Sequence, residues 1–153
     1  MDQDGDFILA AMELILWRHA DAEDGADDLA RRLTPEGRAQ AAAMAKWLRR
    51  HLPPEFALLA SPARRAQQTA EALQAAMRTE PKLAPGASVH AIVEAARKHK
   101  DRGLVIVVGH QPDLGRAAAH LVARAEADWS IRKGALWWLD AHRVKAVVSP
   151  DLL

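Results

Sequence analysis

The run Leu104-Val105-Ile106-Val107-Val108 contains no polar residue. A strand that buries one face alternates apolar and polar side chains, whereas one that is apolar throughout is covered on both faces. Double coverage is the mark of a parallel sheet with helices packed above and below it. Leu14 to Trp17 form a second run of the same character. These two segments restrict the chain to an α/β architecture.

The remaining segments fit that frame. Strands are predicted at Glu13 to Trp17, Phe56 to Ala60 and Leu104 to Val108, with a terminal hairpin in GALWWLDAHRVKAVV. Thr34 as N-cap, Pro35 at the first helical position and Glu36 in the first turn open a helix. Its Ala39, Ala43, Trp47 and Leu48 share one face, and Pro53-Pro54 ends it. Ser61 and Pro62 open a second helix, expected to run to about Met77. RTEPKLAPGA reads as a loop with a few extended residues. Ser88 caps a third helix through Lys100, and a fourth runs from about Asp113 to Arg124. The order predicts an α/β three-layer sandwich, a mostly parallel central sheet flanked by helices. There is no internal repeat or linker, so residues 12–153 are expected to be a single domain. Residues 1–11 read as a leader that need not be ordered, with Met12 an alternative start.

The chain has 153 residues, with 21 Lys and Arg against 20 Asp and Glu. That balance lacks the basic footprint of a nucleic-acid binder. There is no cysteine, hence no disulfide and no thiolate chemistry. The acidic N-terminus lacks the basic segment of a secretory signal, and no apolar run reaches the roughly 20 residues of a membrane helix. A cytoplasmic protein with neither a membrane nor a nucleic-acid partner is expected.

Three apolar strands finish in polar groups: the first in Arg18-His19, the second in Ser61 with Arg64 and Arg65 one turn later, the third in Gly109-His110. In an open α/β sheet, ligands bind at the carboxyl ends of the strands. If these strands are neighbours, two histidines and two or three arginines share a pocket. Arginine forks match phosphate oxygens. A neutral imidazole can attack phosphorus and carry the phosphoryl group until water removes it. The second histidine, if protonated, would stabilise charge on the equatorial oxygens. Cationic side chains then supply the charge, and neither metal nor other cofactor is expected. Zinc on His19 and His110 would lack a third ligand at convincing spacing. His51, His90, His99, His120 and His142 read as structural or surface residues. The Asp21 to Asp28 stretch reads as a solvated loop, and Lys133 either reaches the phosphate or is plain surface.

These residues also carry a family resemblance. LWRHADAE resembles the Arg-His-Gly motif of the histidine phosphatase superfamily, with Ala20 in place of the glycine. RRLTPEGRAQAAAMAKWL resembles the segment that follows, LLASPARRAQQTAEAL the Ser-Pro-x-x-Arg-Ala-x-x-Thr motif, and VVGHQP the second-histidine motif. The short length and the GHQP ending are most similar to the SixA-type phosphohistidine phosphatases. The resemblance implies a phosphoglycerate mutase-like fold, with His19 as the phosphorylated nucleophile. It implies that Arg18 and Arg65 clamp the phosphoryl oxygens and that His110 is the second histidine. Ser61 and Asp21 are further candidates for substrate binding, Asp21 also as a proton donor or as an orienter of His19. Larger members carry an acid for an alkoxide leaving group; here only Glu80 lies in the corresponding region, which favours an N-phosphorylated substrate. The expected partner is a histidine phosphotransfer domain or a small phosphorylated substrate. The alternatives are a small-molecule phosphomonoesterase with the same core and a non-catalytic phosphoprotein-binding module.

Overall fold

The unbroken apolar runs of β1 (Glu13–Arg18) and β4 (Leu104–Gly109) lie side by side, parallel, with Leu14 opposite Val105 and Arg18 opposite Gly109. β2 (Ala57–Ala60) flanks β4 on its other side, also parallel, and the short β3 (Arg78–Thr79) extends that edge. The hairpin of β5 (Leu136–Asp140) and β6 (Arg143–Val148) adds antiparallel to β1. The sheet order is β3-β2-β4-β1-β5-β6. The computed structural model describes residues 12–153; the expected leader at 1–11 lies outside the described residues.

The side chains of the buried runs divide by parity, as the pleat requires. Leu14, Leu16, Leu59, Val105 and Val107 face one way, onto Ile92 and Ala96 of α3 (Val89–Arg97) and Leu114 and Ala117 of α4 (Asp113–Ala123). Ile15, Trp17, Leu58, Ile106 and Val108 face the other way, onto Met44 and Leu48 of α1 (Pro35–His51) and Ala66 and Ala70 of α2 (Arg64–Glu71). The result is the three-layer sandwich. Each large side chain so covered contributes about 1.5–3 kcal/mol relative to exposure.

Local chemistry sets the helix starts. Thr34 Oγ1 accepts from Gly37 N at 2.9 Å, and Pro35 fills the first position. Ser88 Oγ accepts from Ala91 N at 3.0 Å. The second helix departs from expectation at both ends. Ser61 does not cap it: Pro62 stays outside, and the helix begins at Arg64 after Ala63. The Ser61 hydroxyl accepts from Ala63 N and reaches a buried histidine instead. At the other end the helix stops at Glu71 rather than near Met77, and Gln74 takes the left-handed conformation (φ 54°). That turn returns the chain so that Thr79 pairs with Ala60. The third helix ends at Arg97, and a 3-10 turn over Lys100–Arg102 leads to Gly103.

Candidate active site

β1, β2 and β4 are parallel neighbours, so their carboxyl ends open on the same side. Backbone bonds continue past the strand ends: His19 N donates to Gly109 O, Ser61 N to Val108 O and Gly134 N to His19 O, each at 3.0 Å. Arg18, His19, Ser61 and His110 are thereby set on one rigid rim. His19, Ser61, Arg65 and His110 are all buried, and the two imidazole centroids are 5.2 Å apart with planes tilted by 53°.

Each imidazole has one nitrogen engaged. His19 Nδ1 lies 2.8 Å from the Ala20 carbonyl oxygen. A carbonyl only accepts, so Nδ1 carries the proton and Nε2 keeps its lone pair. Burial, helped by the positive charge of Arg65 and Arg18, pushes His19 down to about 4 against the bond to Ala20, so it is neutral near pH 7. His110 Nε2 lies 2.8 Å from Ser61 Oγ, which already accepts from Ala63 N at 3.1 Å. The arrangement that leaves no hydroxyl hydrogen stranded has Ser61 donating to His110 Nε2. The ring proton then sits on Nδ1. Burial first, then His19 and Arg65, push His110 down to about 3. A protonated second histidine is therefore not what the free site holds: His110 is a neutral donor.

The arginines are held by their tips. Arg18 Nη1 donates to Ile131 O at 2.9 Å. Arg65 Nη1 donates to Asp28 O at 2.7 Å, and its Nη2 to Asp28 Oδ2 at 3.1 Å. In both, Nε is buried and has no partner. Among the described residues, the buried side-chain nitrogens and oxygens without a hydrogen bond are Arg18 Nε, Arg65 Nε and His110 Nδ1. Orphaned buried donors cost folding free energy, typically about 1–3 kcal/mol each. Three of them around one imidazole form a set suited to the oxygens of a tetrahedral anion.

The other candidates are placed differently. Asp21 Oδ2 accepts from Thr34 Oγ1 at 2.7 Å and Oδ1 from Lys133 Nζ at 3.0 Å. Those bonds hold its carboxyl below the usual range, so it is ionised. Each of its oxygens thus has one donor, Thr34 or Lys133, and the bond that orients His19 comes from Ala20. Arg64 is exposed, while its neighbour Arg65 turns inward. Glu80 accepts from Lys82 N within its own turn. Two contributors carry no assigned role in the sequence: Asp28, and Thr69, which closes the Ser-Pro-x-x-Arg-Ala-x-x-Thr motif. Asp28 aims Arg65; its signal was the acidic loop directly after a strand end, indistinguishable from a solvated one. Thr69 Oγ1 accepts from Ala20 N at 3.0 Å and donates to Arg65 O at 2.8 Å, tying the residue after His19 to the helix that bears Arg65.

A candidate phosphohistidine phosphatase SixA from Nakamurella multipartitia is 30% identical, with a TM-score of 0.75, covering 91% of this chain and 96% of that one. The model of the histidine phosphatase superfamily (branch 1) matches residues 14–88. The chain belongs to the histidine phosphatase superfamily. Within it the chain is SixA-type: the protein histidine phosphatase SixA complexed with tungstate is 26% identical, with a TM-score of 0.79, over 92% of this chain and 99% of that one. An uncharacterized protein of Picosynechococcus sp. is 39% identical over 121 residues, covering 70% of this chain and 71% of that one. As a member of this superfamily the chain is a phosphatase. Among the described residues no group of three His, Asp or Glu is placed to hold a metal ion, and no helix is long and apolar enough to cross a membrane.

Proposed function

We propose that this phosphatase works through a phosphohistidine formed on His19, and that its substrate is phosphohistidine in a phosphotransfer protein of the cytoplasm. The observation that carries the reading is the trio of unpartnered buried donors, Arg18 Nε, Arg65 Nε and His110 Nδ1, around an imidazole whose Nε2 is free. Binding a phosphoryl group requires only the arginines. A neutral histidine among them adds a nucleophile, which a mere binding module has no use for.

The chemistry follows from these groups. His19 Nε2 forms a bond to phosphorus as the bond from phosphorus to the leaving nitrogen breaks and its electron pair goes to the departing imidazole. The donors hold the equatorial oxygens through this step, where positioning and charge stabilisation supply most of the catalysis. Water then attacks phospho-His19 and releases inorganic phosphate. The carboxyls of Asp21 and Asp28 are both held below their ordinary range, by Thr34 and Lys133 and by Arg31 and Arg65 respectively. Near pH 7 neither can hand a proton to an alkoxide. A substrate ring protonated on its other nitrogen, an imidazole's ordinary value being near 6.5, leaves as neutral imidazole and needs no proton from a carboxyl of this chain. The ionised carboxyls therefore favour a P–N bond over a sugar phosphate.

Steady-state turnover in the presence of EDTA tests the substrate class. A histidine-phosphorylated phosphotransfer domain is expected to be hydrolysed with a far higher kcat/KM than a phosphoserine peptide or a sugar phosphate. Equal rates on the three would move the protein to the phosphomonoesterases.

A further inference from the structure

Next to the phosphoryl site lies a second cavity of about 650 Å³, lined by Leu29, Arg32, Pro62, Arg64, Gln67 and Thr79 among others. It adjoins the site through three direct links. Leu29 follows Asp28, whose backbone and side chain hold Arg65. Pro62 follows Ser61, which binds His110. Gln67 Nε2 donates to Ser61 O at 2.7 Å and to Thr79 Oγ1 at 3.0 Å, which makes a fixed polar wall.

The two guanidinium groups in this cavity are idle. Among the described residues, neither Arg32 nor Arg64 has a side-chain hydrogen bond or ion pair. No acidic residue is among those that line the cavity; Glu23, Asp24 and Asp27 of the same loop are outside it, and Asp28 is taken by Arg31 and Arg65. Beside the cations sits Leu29, 49% exposed, one of five large apolar side chains that are exposed among the described residues. Two unneutralised cations call for an anionic partner. The exposed leucine and proline call for an apolar one. A second phosphate on a small molecule satisfies only the cations. An acidic protein surface with an apolar contact satisfies both.

We propose that Arg32, Arg64, Leu29 and Pro62 form a docking site for an acidic, partly apolar stretch of the phosphorylated protein, adjacent to its phosphohistidine. The inference rests on the phosphohistidine-protein reading above. The cations steer encounter and fix register, and the leucine is the contact that water leaves.

Two peptides test it: one phosphorylated histidine flanked by glutamates and leucine, and the same sequence with glutamine for each glutamate. Phosphoramidate serves as a small phosphodonor. The wild type is expected to favour the glutamate peptide about tenfold in kcat/KM at low salt, an advantage that added salt erodes. In the Arg32→Gln/Arg64→Gln variant the preference disappears, while phosphoramidate, which carries no flanking glutamates, loses far less turnover. No preference in the wild type, an unchanged preference in the variant, or an equal loss on phosphoramidate overturns the docking site. A wild type that hydrolyses phosphoramidate but neither peptide overturns the substrate reading instead. The docking site is then judged by fluorescence anisotropy of the labelled, unphosphorylated peptides on His19→Ala protein. Tighter binding of the glutamate peptide, lost with Arg32 and Arg64, supports it; equal affinities overturn it.

Discussion

His19 and His110 are the same residue type 5.2 Å apart, and their roles differ by which nitrogen each has left over. His19 keeps a bare Nε2 because Nδ1 donates to Ala20; His110 keeps an Nδ1 proton because Ser61 donates to its Nε2. Long-range nitrogen-detected NMR is therefore expected to show both rings as the Nδ1–H tautomer, neutral at pH 6; a ring titrating near 6.5 would contradict this. The same burial has a stability consequence. In the unfolded chain both imidazoles take up a proton near 6.5, but in the folded protein only near about 4 and about 3. The unfolded state binds more protons in that interval, so stability falls as the pH drops below 6.5. The urea midpoint should decline from pH 7 to pH 5, and His19→Ala/His110→Ala should flatten that decline. Arg65→Ala is expected to lose about 10²–10³-fold in kcat/KM with unchanged circular dichroism. Asp28→Ala is expected to lose about tenfold, because one charge-assisted bond at a half-open position is worth little more than 1.4 kcal/mol. Asp28→Asn retains both acceptor oxygens that Arg65 uses and should lie close to wild type. The convergence of Arg18, His19, Arg65 and His110 was legible because polar residues ending apolar strands must meet where parallel strands open. The positioning bonds from the Ala20, Asp28 and Ile131 carbonyls are not, since a backbone carbonyl carries no side-chain signature, and the Asp28 carboxylate sits in an acidic loop that reads as solvated.

At the scale of elements, the sheet was readable from its two buried runs. What they could not show was the division of Leu14, Leu16 from Ile15, Trp17 between two helix layers, because both parities are apolar. The centre of that division is Ile106, fully buried in β4. Ile106→Ala should cost about 2–5 kcal/mol in urea denaturation; a smaller loss would mean that the α1 and α2 layer closes over the gap. Gly37 is as exacting for a different reason: a Cβ there would stand 2.0 Å from the Asp21 carbonyl oxygen. Helix α1 thus rests against the chain just beyond His19, and Gly37→Ala must displace one or the other. The second helix ends at Glu71 although Ala72 to Met77 is good helix-forming sequence. Tertiary demands outweighed that propensity: Arg78 and Thr79 had to reach the sheet edge, and Gln74 turned the chain to bring them there. The same return to the edge places Thr79 against Gln67, beside the candidate site.

In the whole molecule, the site exists only when β1, β2 and β4 are assembled, since each brings one part of it. We read residues 12–153 as one domain, which predicts a single unfolding transition with activity and circular dichroism lost together. A molecule that first shed the β5–β6 hairpin would also release the Gly134 and Ile131 backbone bonds that fix His19 and Arg18. Activity would then vanish before the bulk of the helix signal. Sequence could place the strand ends near one another, but their common rim depends on the order β2-β4-β1, which only the folded topology supplies. The most direct test of that rim is the covalent intermediate itself. Protein mixed with excess phosphohistidine substrate for milliseconds, denatured in alkali and digested should yield one phosphorylated peptide of this chain beside those of the substrate. Fragmentation should place the phosphate on His19, and the His19→Ala protein should yield none. Phosphate on another residue, or rapid turnover by the His19→Ala protein, would contradict it.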